Sequence, residues 1–82
     1  MKGAETKQKV YKLMLSNDDI HTFEYVIESL VKECGHSREQ AEQCAYIVHL
    51  KGQCDVKRGS LKELSIMHAA LCKLELTATI EK

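Results

Sequence analysis

The sequence predicts an α+β domain, a β-α-α-β-α-β sandwich in which three helices pack on one face of a three-stranded antiparallel sheet. Three observations lead there. Apolar residues in three internal stretches recur at spacings of three and four, the period of a helix with one buried stripe. Both ends of the apolar region carry strand-forming runs. With 82 residues in all, the chain can bury only one modest core, so helices and strands must share it as two layers.

In order along the chain, Val10, Tyr11, Leu13, Met14 and Leu15 form a β-prone run that stops at the turn formers Ser16-Asn17-Asp18-Asp19, so a first strand is predicted over about 9–16. Phe23, Val26, Ile27, Leu30 and Val31 then set a first helix over about 22–34, ended by Gly35. Ser37-Arg38-Glu39-Gln40 has the Ser-x-x-Gln form of a capping box, and opens a second helix over about 38–51. That helix presents Ala41, Cys44, Ala45, Val48 and His49, and Gly52 stands where a left-handed residue would end it.

Cys54 and Val56 alternate in a short middle strand closed by an Arg58-Gly59 turn. A second capping box, Ser60-Leu61-Lys62-Glu63, starts a third helix over about 61–73 with Leu64, Met67, Ala70 and Leu71 inward. The last segment alternates, Leu74, Leu76, Ala78 and Ile80 against Glu75, Thr77, Thr79 and Glu81, which is the period of a half-buried strand. Residues 1–9 read as a short flexible leader and 10–82 as the core domain.

Composition excludes several classes of function. Twelve Lys and Arg balance twelve Asp and Glu, for zero formal charge, so no long-range field draws the chain to nucleic acid or to an anionic membrane. No window approaches the ~18 apolar residues of a spanning helix, and the first residues lack a signal-peptide core, which makes the cytoplasm the expected location. Cys34, Cys44, Cys54 and Cys72 contain no CxxC pair and read as mostly reduced, small core residues. Neither Cys34-x-His36 nor Cys44-x4-His49 has the paired-ligand spacing of a zinc site. No metal, no cofactor and no catalytic group are expected, and the chain reads as a non-enzyme.

Two features remain. Asn17-Asp18-Asp19 puts three polar groups between a strand and a helix, more than one helix cap or Asx turn requires. His49 stands at the end of the second helix, where it can serve the helix dipole or a ligand.

Four collinear stretches, Tyr11 to Asp19, Glu24-Tyr25-Val26, Val48-His49 with Gly52, and Thr79-Ile80-Glu81-Lys82, resemble the ClpS adaptor family over about residues 10–82. The resemblance implies an adaptor that recognises N-degrons, proteins beginning with a bulky hydrophobic residue, and delivers them to a Clp-type AAA+ unfoldase of the ClpA or ClpC class. It implies that Asn17, Asp18 and His49 read the α-amino group, and that His21, Phe23, Val26, Ala45, Val48 and Leu76 line a hydrophobic pocket. An ammonium group needs several acceptors, which an amide carbonyl, a carboxylate and an imidazole nitrogen supply.

This chain departs from the family where Thr-Pro-Met is replaced by His21-Thr22-Phe23 and a pocket Met by Ala45. Its third helix carries Lys62-Glu63-Leu64-Ser65 where the family has an Ala-Glu-Thr-Lys unfoldase contact. The alternative is a ClpS-like interaction domain without N-degron recognition. Either is expected to act as a monomer.

Overall fold

The computed structural model describes residues 9–17 and 21–82; of the expected leader only Lys9 is among them, and Asp18 lies outside them. The elements are β1 (Tyr11–Ser16), α1 (Phe23–Cys34), α2 (Arg38–Lys51), β2 (Gln53–Gly59), α3 (Leu61–Lys73) and β3 (Thr77–Glu81). The strands form one antiparallel sheet in the order β2-β1-β3, so the expected α+β architecture is present.

β1 is central and carries three consecutive buried residues, Leu13, Met14 and Leu15. Leu13 and Leu15 are buried and pair across the sheet with Ile80 and Ala78 of β3, while Leu15 also faces Cys54 of β2. Directly opposed residues share a face, so these side chains make the floor on which Ile27, Leu30, Ala41, Ala45, Leu64 and Leu71 of the helices rest.

Side-chain caps set the helix starts. Thr22 accepts from the Tyr25 amide, Ser37 from Gln40, and Ser60 from Glu63, with the Glu63 carboxylate returning to the Ser60 amide. Each satisfies amides that a helix leaves without partners at its first turn.

The structure corrects several expectations. β1 begins at Tyr11, since Lys9 and Val10 are exposed and take no part in the ladder. The expected Arg58-Gly59 turn is strand: Arg58 pairs with Lys12 and Gly59 with Tyr11. Gly59 leaves room for the cap, because a Cβ there would stand 2.7 Å from the capping oxygen of Glu63 and the Glu63 side chain would have to shift. The β1–β2 register slips between Leu13 and Met14, the mark of a bulge that leaves Val56 without a ladder partner. The buried His36 ring fills the gap, its Nε2 2.6 Å from the Val56 carbonyl oxygen.

β3 starts at Thr77 rather than Leu74. The three preceding residues close α3 in a Schellman turn, with Leu76 N–H on Leu71 O at 3.1 Å and Glu75 N–H on Cys72 O at 2.9 Å. Glu75 takes the left-handed conformation, φ 65°, that glycine usually supplies. The contact that compensates is apolar, Leu76 and Leu71 both being buried. Strand alternation gave Leu76 the right side for the wrong reason.

All four cysteines are free thiols, and the expectation of core placement fails for Cys72, which is exposed beside His68. Burial pushes the Cys34 thiol up to about 11 and the Cys54 thiol up to about 12. An unfolded thiol ionises near about 8.5, so above that pH the unfolded chain releases protons the folded chain keeps, and this contribution to stability falls as pH rises toward 11 or 12. At pH 8 an aromatic disulfide reagent is therefore expected to label Cys72 rapidly, and Cys34 and Cys54 only at the rate of unfolding. Rapid labelling of Cys34 or Cys54 in the native chain, read by peptide mass mapping, would contradict the packing.

Candidate functional site

The end of β1 and the end of α2 are fastened together. Gly52 ends α2 in the left-handed region, φ 92°, with its amide on Val48 O at 2.9 Å, and its carbonyl accepts the Asn17 amide at 2.8 Å. That backbone bond brings Asn17 alongside the last turn of α2, where His49 is exposed. A residue with a side chain would be strained at Gly52, so the glycine fixes how these two polar residues meet.

Between them and the helices lies a cavity of about 310 Å³, within the size range of small-ligand pockets. Val26 of α1, Ala45 and Val48 of α2 and Leu76 of the Schellman turn give it apolar walls. Asn17, His21 and His49 add polar groups, and Phe23 completes it. Every described residue singled out from the sequence is thus in one cavity. Asp18, the ninth, lies outside the described residues.

Sequence reasoning missed Leu15, Ser16 and Thr22, which also line the cavity. Contiguity was the available signal, since Ser16 precedes Asn17 and Thr22 lies between His21 and Phe23. Leu15 reads as core and is almost fully buried, yet it also backs the pocket.

Aromatic contacts order the rim. Phe23 is half exposed and meets the edge of His49 at a centroid distance of 6.3 Å and that of Tyr46 at 6.1 Å, the planes being 90° and 85° apart. His21 stacks on Tyr25 at 4.7 Å. The Tyr25 hydroxyl donates to Leu74 O at 2.9 Å, so one side chain braces both the His21 rim and the turn that delivers Leu76. Tyr25→Phe is expected to leave that carbonyl without its partner and cost about 1 kcal/mol, lowering the urea midpoint by roughly 1 M. An unchanged midpoint would show that the bond contributes nothing.

The alternatives weighed from the sequence fare differently. His36 Nε2 is engaged with Val56 O, and the Cys44 thiol lies against that of Cys54. Among the described residues no group of three or more His, Cys, Asp or Glu is placed to hold a metal ion, and no helix is long and apolar enough to cross a membrane.

Comparison with known proteins identifies the family. The profile of the family described as ATP-dependent Clp protease adaptor protein ClpS matches residues 6–79. The ClpS adapter protein of Serratia proteamaculans is 33% identical over 79 residues, 89% of this chain and 74% of that one. Its counterpart from Campylobacter jejuni strain RM1221 is 31% identical over 83 residues, 94% of this chain and 86% of that one. Among solved structures, Agrobacterium tumefaciens ClpS2 bound to L-phenylalaninamide superposes with a TM-score of 0.84, at 23% identity, over 92% of this chain and 98% of that one. Profile, relatives and fold agree, and the chain belongs to the ClpS family of Clp protease adaptor proteins.

Proposed function

We propose that this chain is a non-catalytic cytoplasmic adaptor that binds N-degrons, captures a bulky hydrophobic first residue together with its free α-amino group, and passes the polypeptide to a Clp-type AAA+ unfoldase of the ClpA or ClpC class. In this reading Asn17, Asp18 and His49 accept hydrogen bonds from the ammonium. His21, Phe23, Val26, Ala45, Val48 and Leu76 enclose the side chain, and the chain works as a monomer.

One observation carries the reading: a single cavity joins an apolar wall to two acceptor-bearing residues that the Asn17–Gly52 bond holds together. An ammonium beside an apolar side chain is a combination found at a polypeptide N terminus beginning with Leu, Phe, Tyr or Trp. Burying such a side chain contributes about 1.5–3 kcal/mol, and hydrogen bonds to a charged group about 1.5–3 kcal/mol each, enough together for micromolar affinity. The Agrobacterium relative was solved with L-phenylalaninamide, a compound with a free α-amine and a benzyl side chain.

Delivery is tested by ATP-dependent proteolysis. A reporter exposing an N-terminal Phe is expected to be degraded faster by a Clp unfoldase–protease when this chain is added, and a Ser-starting reporter is not. Equal rates with and without the chain would refute delivery.

A further inference from the structure

Phe23 is shared by two cavities. Beside the first pocket, a groove of about 480 Å³ runs between α1 and α2, walled by Phe23 and Tyr46 and edged by Glu24, Glu39, Glu42 and Arg38. We infer that this groove is a second subsite, which takes a basic side chain at the third position of the bound polypeptide. The inference rests on the N-terminus-binding reading of the first pocket.

Reach comes first. An extended chain rises about 3.3 Å per residue, so the side chains of its first and third residues point the same way roughly 7 Å apart. Phe23 lies 6.3 Å from His49 and 6.1 Å from Tyr46 between ring centroids. Phe23 lines both cavities, so they adjoin; with the first side chain in the apolar pocket, the third, two residues along the extended chain, reaches the groove while the second points the other way.

Charge and surface select the occupant. The Arg38 guanidinium is engaged by Glu24 at 2.7 Å and by Glu42 at 3.3 Å, and Glu39 has no cationic partner among the described residues. Three carboxylates against one guanidinium leave the groove with a local charge of −2, although the whole chain sums to zero. The field is thus local to the groove. Tyr46 and Phe23 are exposed aromatic walls, suited to the methylene stem of Arg or Lys and, for the ring face, to its cation. An acidic residue in the same place would meet like charge.

The experiment compares fluorescent peptides beginning Phe-Ser-Arg, Phe-Ser-Ser and Phe-Ser-Glu, with an Arg/Glu exchange at position ten as a control for general electrostatics. The Arg peptide is expected to bind about fivefold tighter than the Glu peptide, the range of one or two exposed charge pairs with a cation–π contact. That ratio is expected to fall toward one in Glu39→Gln and in Tyr46→Ala, and the position-ten exchange to have no effect. Equal affinities for the three peptides, or a ratio unchanged in both variants, would overturn the subsite while leaving the first pocket's reading intact. Failure of all three to bind would overturn both.

Discussion

Asn17→Ala and His49→Ala are each expected to weaken binding of a Phe-starting peptide by about tenfold, and the double variant by more, though by less than the product. Each removes an acceptor from a charged donor, a loss of about 1–3 kcal/mol. Residues that share one partner do not contribute additively. The fold is expected to survive both changes: Asn17 is exposed and donates to Gly52 O through its backbone amide, which alanine keeps, and His49 is exposed at a helix end. Unchanged circular dichroism with weakened peptide titration is the expected pair of results. Wild-type affinity in both variants would remove these residues from the site.

The largest stability effect is expected at Leu13. It is fully buried in the central strand, paired on one side with β2 and on the other with β3. Leu13→Ala removes its transfer energy and leaves a cavity, at a cost of about 2–5 kcal/mol. A domain of this length has a total of only about 4–12 kcal/mol, so the variant is expected to lose several tens of per cent of its stability in a urea titration. Leu13→Met keeps the volume and is expected to cost less than about 1.5 kcal/mol. Equal midpoints for Leu13→Ala and wild type would mean that the layer beneath α1 and α3 is not the core.

The fold was legible because periodicity, caps and turn residues agreed. Ser37 and Ser60 announced α2 and α3 by chemistry that the structure uses directly, and Gly35 and Gly52 ended α1 and α2 in the left-handed conformation. Legibility failed where a tertiary contact outweighed local signal. Arg58-Gly59 reads as a turn until its pairing with Lys12 and Tyr11 of β1 is known. Glu75 gives no sign of a left-handed conformation, because the turn is held by the bond from Leu76 back to Leu71 and not by the preference of Glu75 itself.

The site was only half legible in residue chemistry. Asn17 and His49 were conspicuous polar residues, but nothing local joins them across more than thirty positions; the Asn17–Gly52 bond does so. Val26, Ala45 and Val48 look like ordinary inward helix residues, and only the resemblance separated them from the rest of the core. The Phe23–Tyr46 wall and the groove behind it were invisible, because helix pairing rather than spacing puts α1 and α2 side by side.

The central claim, that this cavity reads a free amino terminus attached to a bulky apolar side chain, is tested most directly by fluorescence anisotropy with three peptides identical after the first residue. One begins with Phe, one with N-acetyl-Phe and one with Ser. Micromolar binding of the first and at least tenfold weaker binding of the other two is the predicted result. Equal binding of all three, or equal absence of binding, would contradict it.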